Sequence, residues 1–141
     1  MEISLVYVSV ASHFMTDDEL KALIETCRTL NAQKNITGML LYRDGYFIQA
    51  LEGEESAVIA LYEKITTDPR HTKCLIVHRQ EIAKRYFSRW AMGFNNIHRA
   101  DFDLFPALTD FMDHPFETAM FAQDPNKALA LLMSFRDHNT F

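Results

Sequence analysis

The sequence predicts an α+β fold: a ferredoxin-like mixed five-stranded sheet with two helices on one face, plus a C-terminal helical cap. Three observations carry this. Apolar periodicity runs in the order strand, helix, strand, strand, helix, strand, strand. An Asp44-Gly45 pair between the second and third strand patterns is a strong hairpin signal. The last third changes character, with Phe and Leu at helical spacing. Each strand–helix–strand connection is expected to be right-handed, which puts both helices over the same face of the sheet. Two such helices leave a slot between them that a flat cofactor could enter.

Residues 3–10 alternate as a strand, with Ile3, Leu5 and Tyr7 on one face and Ser4, Val6, Val8 and Val10 on the other. Both faces are largely apolar, so this strand is expected to be central and covered on both sides. Thr16-Asp17-Asp18-Glu19 has the spacing of a capping box, and its acidic residues suit a helix start. Leu20, Leu23, Ile24, Cys27 and Leu30 then recur at helical intervals. Asn31 falls at the end of this helix on its apolar side. Helix rules leave two readings for it: a C-terminal stop, since Asn tolerates the left-handed conformation, or a functional polar group.

Residues 36–42 read as a second strand, 43–45 as a turn and 46–51 as the returning strand. Phe47, Gln49 and Leu51 share one face of it, so Gln49 is a polar side chain between two large apolar neighbours. If that face is buried, the amide must find partners or cost a few kcal/mol; at an edge it simply meets water. Residues 54–67 form a second helix with Val58, Leu61, Tyr62 and Ile65 as its apolar stripe, broken by Asp68-Pro69. Residues 74–77 read as a fourth strand. Residues 90–94 read as a fifth, with Trp90, Met92 and Phe94 on one face.

From His98 onward, Phe102, Phe105, Leu108, Phe111 and Met112 recur at helical spacing, and Pro115 interrupts. Asp124-Pro125 then opens a helix carrying Ala128, Leu129, Leu131, Leu132 and Phe135. The division expected is a binding domain over 1–97 and a helical cap over 98–141 in the same compact unit. The cap is too short for an effector domain.

With 141 residues, 48% apolar and 23% charged, the chain is the size and composition of one ordinary domain. A net charge of -5 argues against nucleic acid, which wants a basic face. No apolar run approaches the length of a membrane span, and the acidic start Met1-Glu2-Ile3-Ser4 leads straight into a strand instead of a signal peptide. Cys27 and Cys74 have neither metal-ligand spacing nor a disulfide framework, so a reducing, cytoplasmic location is expected. There is no Gly-rich phosphate loop, zinc pattern, nucleophile elbow or hydrolytic carboxylate pair. The expectation is a protein without a metal and without enzyme activity.

Three stretches together resemble the BLUF family of flavin-based blue-light sensors. They are Leu5-Val6-Tyr7-Val8-Ser9; the run from Asn31 through Gly38 and Gln49 to Gly53; and Asp68-Pro69-Arg70-His71, followed later by Phe87-Ser88-Arg89-Trp90-Ala91-Met92. The resemblance covers about residues 3–97. It implies that a flavin lies between the two helices, with Leu23 and Ile65 on its two faces. Asn31 would bond its polar edge, and Arg70 and His71 would stand near its ribityl-phosphate end. Gln49 would sit between the flavin and Tyr7, with Trp90 or Met92 beside it. The usual cofactor is FAD, with FMN or riboflavin also possible. Light would draw an electron and then a proton from Tyr7 through Gln49, whose hydrogen bonds are left rearranged. Cys27 stands where Ser is common, which implies an altered lifetime of the lit state.

The output implied is a signal to a separate, unidentified downstream protein. The apolar tail implies a homo-oligomer, at least a dimer, and neither nucleic acid nor membrane is an expected partner. Two other readings of the plan are a flavin-free interaction module and a small acylphosphatase-like enzyme. The latter lacks its Arg in a phosphate-cradling loop before the first helix.

Overall fold

The central strand β1, Glu2–Val10, is buried along its whole interior, as two apolar faces require. The structure, a computed structural model, describes residues 1–43, 45–88, 92–96, 129–130 and 132–133. Trp90, Asp44 and most of the two predicted tail helices lie outside the described residues.

Helix α1, Asp17–Gln33, starts on a complete capping box: the Glu19 N–H donates to Thr16 Oγ1 and the Thr16 N–H donates to Glu19 Oε1, both at 3.2 Å. It does not stop at Asn31. The Lys34 N–H still reaches the carbonyls of Leu30 and Asn31, at 3.3 and 3.1 Å. The left-handed residue that ends the turn is Asn35, with φ 54. The left-handed position thus falls four residues after Asn31, and the stop reading of Asn31 is wrong.

Strands β2, Thr37–Arg43, and β3, Tyr46–Glu54, form the hairpin, with Gly45 at φ 90 in its turn. Helix α2, Glu55–Thr66, follows. Strand β4, Leu75–Glu81, runs on past the apolar stretch that announced it. Its outer half, Arg79 to Glu81, is exposed and polar, and the backbone ladder to Ile3, Ser4 and Leu5 holds it without apolar side chains. Strand β5 is Gly93–Asn96 and begins later than predicted, so Met92 precedes it.

The strands are ordered β4-β1-β3-β2-β5. The first four are antiparallel, which is the arrangement expected of the strand–helix–strand repeat, and β5 pairs parallel to β2. Alternation sorts the side chains onto two faces. Both helices cover the face of Ile3, Leu5, Tyr7, Leu40 and Leu51. Val6, Val8, Met39, Leu41 and Ile48 occupy the other, packed with Phe87, Leu129 and Leu132. Each such buried aliphatic side chain contributes about 1.5–3 kcal/mol of transfer free energy.

Gly38 on β2 allows the closest approach in this sheet. A Cβ there would lie 2.0 Å from the Ala50 carbonyl oxygen and 3.3 Å from Met92 Cε. Backbone cannot yield as a side chain can. Gly38→Ala is expected to destabilise the fold by about 1–3 kcal/mol or more. Urea unfolding checks this: an unchanged midpoint would show that the strands are not this close.

Candidate functional site

Period-two alternation puts Tyr7 and Gln49 on the helix-covered face, and the register sets them directly opposite each other, with Leu40 across from Gln49 on β2. Gln49 lies on the middle strand of five and is 3% exposed, so the edge reading is wrong. Its amide is satisfied from both sides. Tyr7 donates its hydroxyl proton to Gln49 Oε1 in a short hydrogen bond, and Gln49 Nε2 donates to Met92 Sδ at 3.3 Å. Tyr7 is completely buried, and burial above all pushes its pKa well above the ordinary phenol value. It therefore keeps its proton, and the proton is already aimed at the amide. Met92 is fixed at a second point, where Arg28 Nε donates to its carbonyl at 2.9 Å.

Above this pair lies a cavity of about 290 Å³. That is close to the lower end, about 300 Å³, of small-molecule sites. Its floor is Tyr7, Leu40 and Gln49, and its rim carries the exposed residues Thr26, Leu30, Lys64 and Pro69. Leu23 from α1 and Ile65 from α2 are apolar walls contributed by the two helices. Asn31, in the last turn of α1, is 2% exposed and brings an amide with both donors and an acceptor to the lining.

Charge gathers at one end, after α2. Arg70 grips Asp68, with Nη2 to Oδ2 at 2.6 Å and Nε to Oδ1 at 3.0 Å. That bond holds the Asp68 carboxyl below its usual pKa. His71 Nδ1 and Ser9 Oγ are hydrogen-bonded at 2.8 Å, and burial lowers the His71 pKa below its ordinary value. The isolated bridge between Ala11 and His71 ties this loop to the end of β1.

Tyr7, Leu23, Asn31, Gln49, Ile65, Arg70 and His71 thus line one cavity. Met92 touches Gln49 from beside it, and Trp90 lies outside the described residues. The sequence reading missed Leu40, Lys64 and Asp68 in the lining. Leu40 was legible as the residue opposite Gln49 once a register was chosen. Asp68 was read only as a helix breaker, and Lys64 carries no pattern that marks it. Apolar walls on two sides, amides at one edge and a guanidinium and an imidazole at one end suit a flat heteroaromatic ring with a polar edge and a polar tail. A flavin has those features. Among the described residues, no group of His, Cys, Asp and Glu could hold a metal ion.

The chain is similar to several known proteins. A photoactivated adenylate cyclase subunit beta from Euglena longa is 43% identical over 90 residues, 63% of this chain and 10% of the relative. The chain thus spans about a tenth of the length of the curated relatives it matches. The structure of BlsA in its photo-activated state superposes with a TM-score of 0.77 at 28% identity, covering 94% of this chain and 95% of that one. Klebsiella pneumoniae BlrP1 with FMN and cyclic diGMP gives a TM-score of 0.66 at 31% identity, over 77% of this chain and 30% of that one. The family model of the sensors of blue light using FAD matches residues 3–93, a span that includes the cavity, the tyrosine–glutamine pair and Met92. The chain belongs to the BLUF family.

Proposed function

We propose that this blue-light photoreceptor works through a relay of Tyr7, Gln49 and Met92. The observation that carries the reading is Gln49, buried with its carbonyl on the Tyr7 hydroxyl and its nitrogen on the Met92 sulfur. A bound flavin supplies an oxidant when it absorbs blue light. Tyr7 loses an electron, and its proton passes along the existing hydrogen bond to Gln49 Oε1. Electron and proton then return to Tyr7, and the amide is left rotated or tautomerised. In the rotated amide the nitrogen faces Tyr7 and the carbonyl faces Met92. A thioether accepts hydrogen bonds and cannot donate one, so rotation costs the bond to Met92. Nothing is consumed, and the process is a switch instead of a turnover.

A bound flavin would be held by Leu23 and Ile65 against its ring, by Asn31 at its polar edge and by Arg70 and His71 toward its phosphate end. FAD is the family cofactor. FMN and riboflavin are compatible as well, because the small cavity selects for the ring. BlrP1 with FMN supports this.

Residues 1–97 are the sensor. Residues 98–141 are its helical cap, a reading supported by Leu129 and Leu132 in the core of the second face. The output is a signal to an effector, a reading supported by the longer relatives named as photoactivated adenylate cyclases. The cap serves in at least a dimer. Free Cys27 and Cys74 fit a cytoplasmic setting. No described helix is long and apolar enough to cross a membrane.

Two outcomes are expected. Gln49→Leu and Tyr7→Phe retain bound flavin and its dark spectrum, but lose the small reversible red shift that blue light produces in the wild type. A full shift in either variant contradicts the relay. The second concerns pH. The His71 pKa lies below 6.5 in the folded protein, so on acidification the unfolded chain takes up the proton first. The stability His71 contributes is present above pH 6.5 and is lost as pH falls through its folded pKa. The wild-type melting temperature should therefore fall more than that of His71→Gln between about pH 7 and pH 5. Parallel falls would contradict the burial assigned to His71.

A further inference from the structure

Three residues beyond Gln49, on the opposite face of β3, stands a carboxylate that the relay does not use. Glu52 is 0% exposed. A buried carboxylate is costly unless its oxygens are satisfied. These are: the Tyr86 N–H donates to Oε2 at 2.6 Å, the Phe87 N–H donates to Oε1 at 2.7 Å, and Thr37 Oγ1 donates to Oε1 at 2.9 Å. Tyr86 and Phe87 belong to the segment between β4 and β5. Neighbouring Arg85 is held by Glu2 at 2.5 Å and joins the same cluster through Thr37 Oγ1, to which its Nη1 donates at 3.4 Å.

This arrangement fastens the segment to β3 at two points. Midway along it Glu52 holds two successive amides and seats Phe87, 1% exposed, in the core with Leu129 and Leu132. Five residues on, just before β5, Met92 is bonded to Gln49. Glu52 also has an alternative donor within reach. Ser4 is its direct partner in the register with β1, and Ser4 Oγ is buried with no hydrogen-bond partner among the described residues. Directly opposed residues have Cβ atoms about 4.5–5.5 Å apart on the same face. A change of rotamer can therefore exchange the backbone amides for the Ser4 hydroxyl. Two discrete sets of partners are what a two-state element needs.

We propose that Glu52 is a positioning residue of the photoswitch, which latches the Tyr86 and Phe87 amides so that loss of the Gln49–Met92 bond is transmitted to Phe87 and the second face of the sheet. The proposal rests on the Gln49 reading above and adds the far anchor of the segment that Gln49 acts on. It assigns Glu52 no contact with the flavin.

The test uses the full-length, flavin-loaded protein. Amide hydrogen exchange followed by NMR in the dark and under steady blue light should show Tyr86 and Phe87 exchanging about tenfold faster in the light, together with Gly93–Asn96. Light-insensitive Tyr86 and Phe87 amides beside responsive Gly93–Asn96 amides overturn the proposal, and this measurement needs no variant. Among variants, Glu52→Gln turns an N–H toward one of the two backbone donors and should change the dark-recovery rate by at least about threefold. Thr37→Val removes a hydroxyl that donates to Glu52 at 2.9 Å and accepts from Arg85 Nη1 at 3.4 Å, leaves both backbone amides on Glu52, and should lower the melting temperature while leaving recovery nearly unchanged. A purely structural role would lower both melting temperatures and leave both recoveries alone, and that result also overturns the proposal. The flavin absorption shift, read on the same samples, reports separately on the Gln49 relay.

Discussion

A phenol and a primary amide cut off from water in the middle of a sheet must satisfy each other or destabilise the fold. Tyr7 and Gln49 are placed in this way, opposite one another on β1 and β3 and covered by both helices. Their mutual hydrogen bond is the constraint on which the rest of the site depends. It fixes the orientation of the amide, which turns the nitrogen of Gln49 toward Met92. The hydrogen bonds to Tyr7 and Met92 offset the cost of burying the amide, and in the function proposed here exchange of those partners is the switching event. An apolar pair in the same register would have given a more ordinary core and no way to register light.

The geometry also explains why one strand serves both faces. Alternation along β3 sends Gln49 toward the cavity beneath the helices and Glu52 toward the opposite core. The segment carrying Phe87 and Met92 touches both. The cavity lined by Tyr7 and Gln49 and the face where Leu129 and Leu132 pack are thus separated by the thickness of one sheet. No long chain of contacts is needed to connect them.

Much of the plan was legible from residue patterns. The capping box at Thr16, the hairpin at Gly45 and the two faces of β1 all follow from local rules and all appear in the structure. Other features were hidden for physical reasons. Pattern alone could not place Gln49, because strand order decides whether a polar residue in an apolar stripe is at an edge or in the middle. Helix rules left Asn31 open between a stop and a functional group, because Asn tolerates the left-handed conformation; the helix runs past it and Asn35 takes the left-handed position. Strand β4 extends beyond its apolar residues because ladder hydrogen bonds do not require them. Glu52 gave no signal at all: an acid before Gly53 and a helix start reads as a solvated or capping group. The roles of Asn31, Gln49, Arg70 and His71 came from the motif resemblance, and the structure then brought them to one cavity.

The central claim is that the Gln49 amide is the part that moves. Its most direct test is the side-chain 15N–1H NMR signal of Gln49 in the flavin-loaded protein, recorded in the dark and under blue light. The account predicts that both amide resonances shift on illumination and return in the dark at the rate at which the flavin spectrum recovers. Resonances that stay in place while the flavin spectrum shifts and recovers would contradict it.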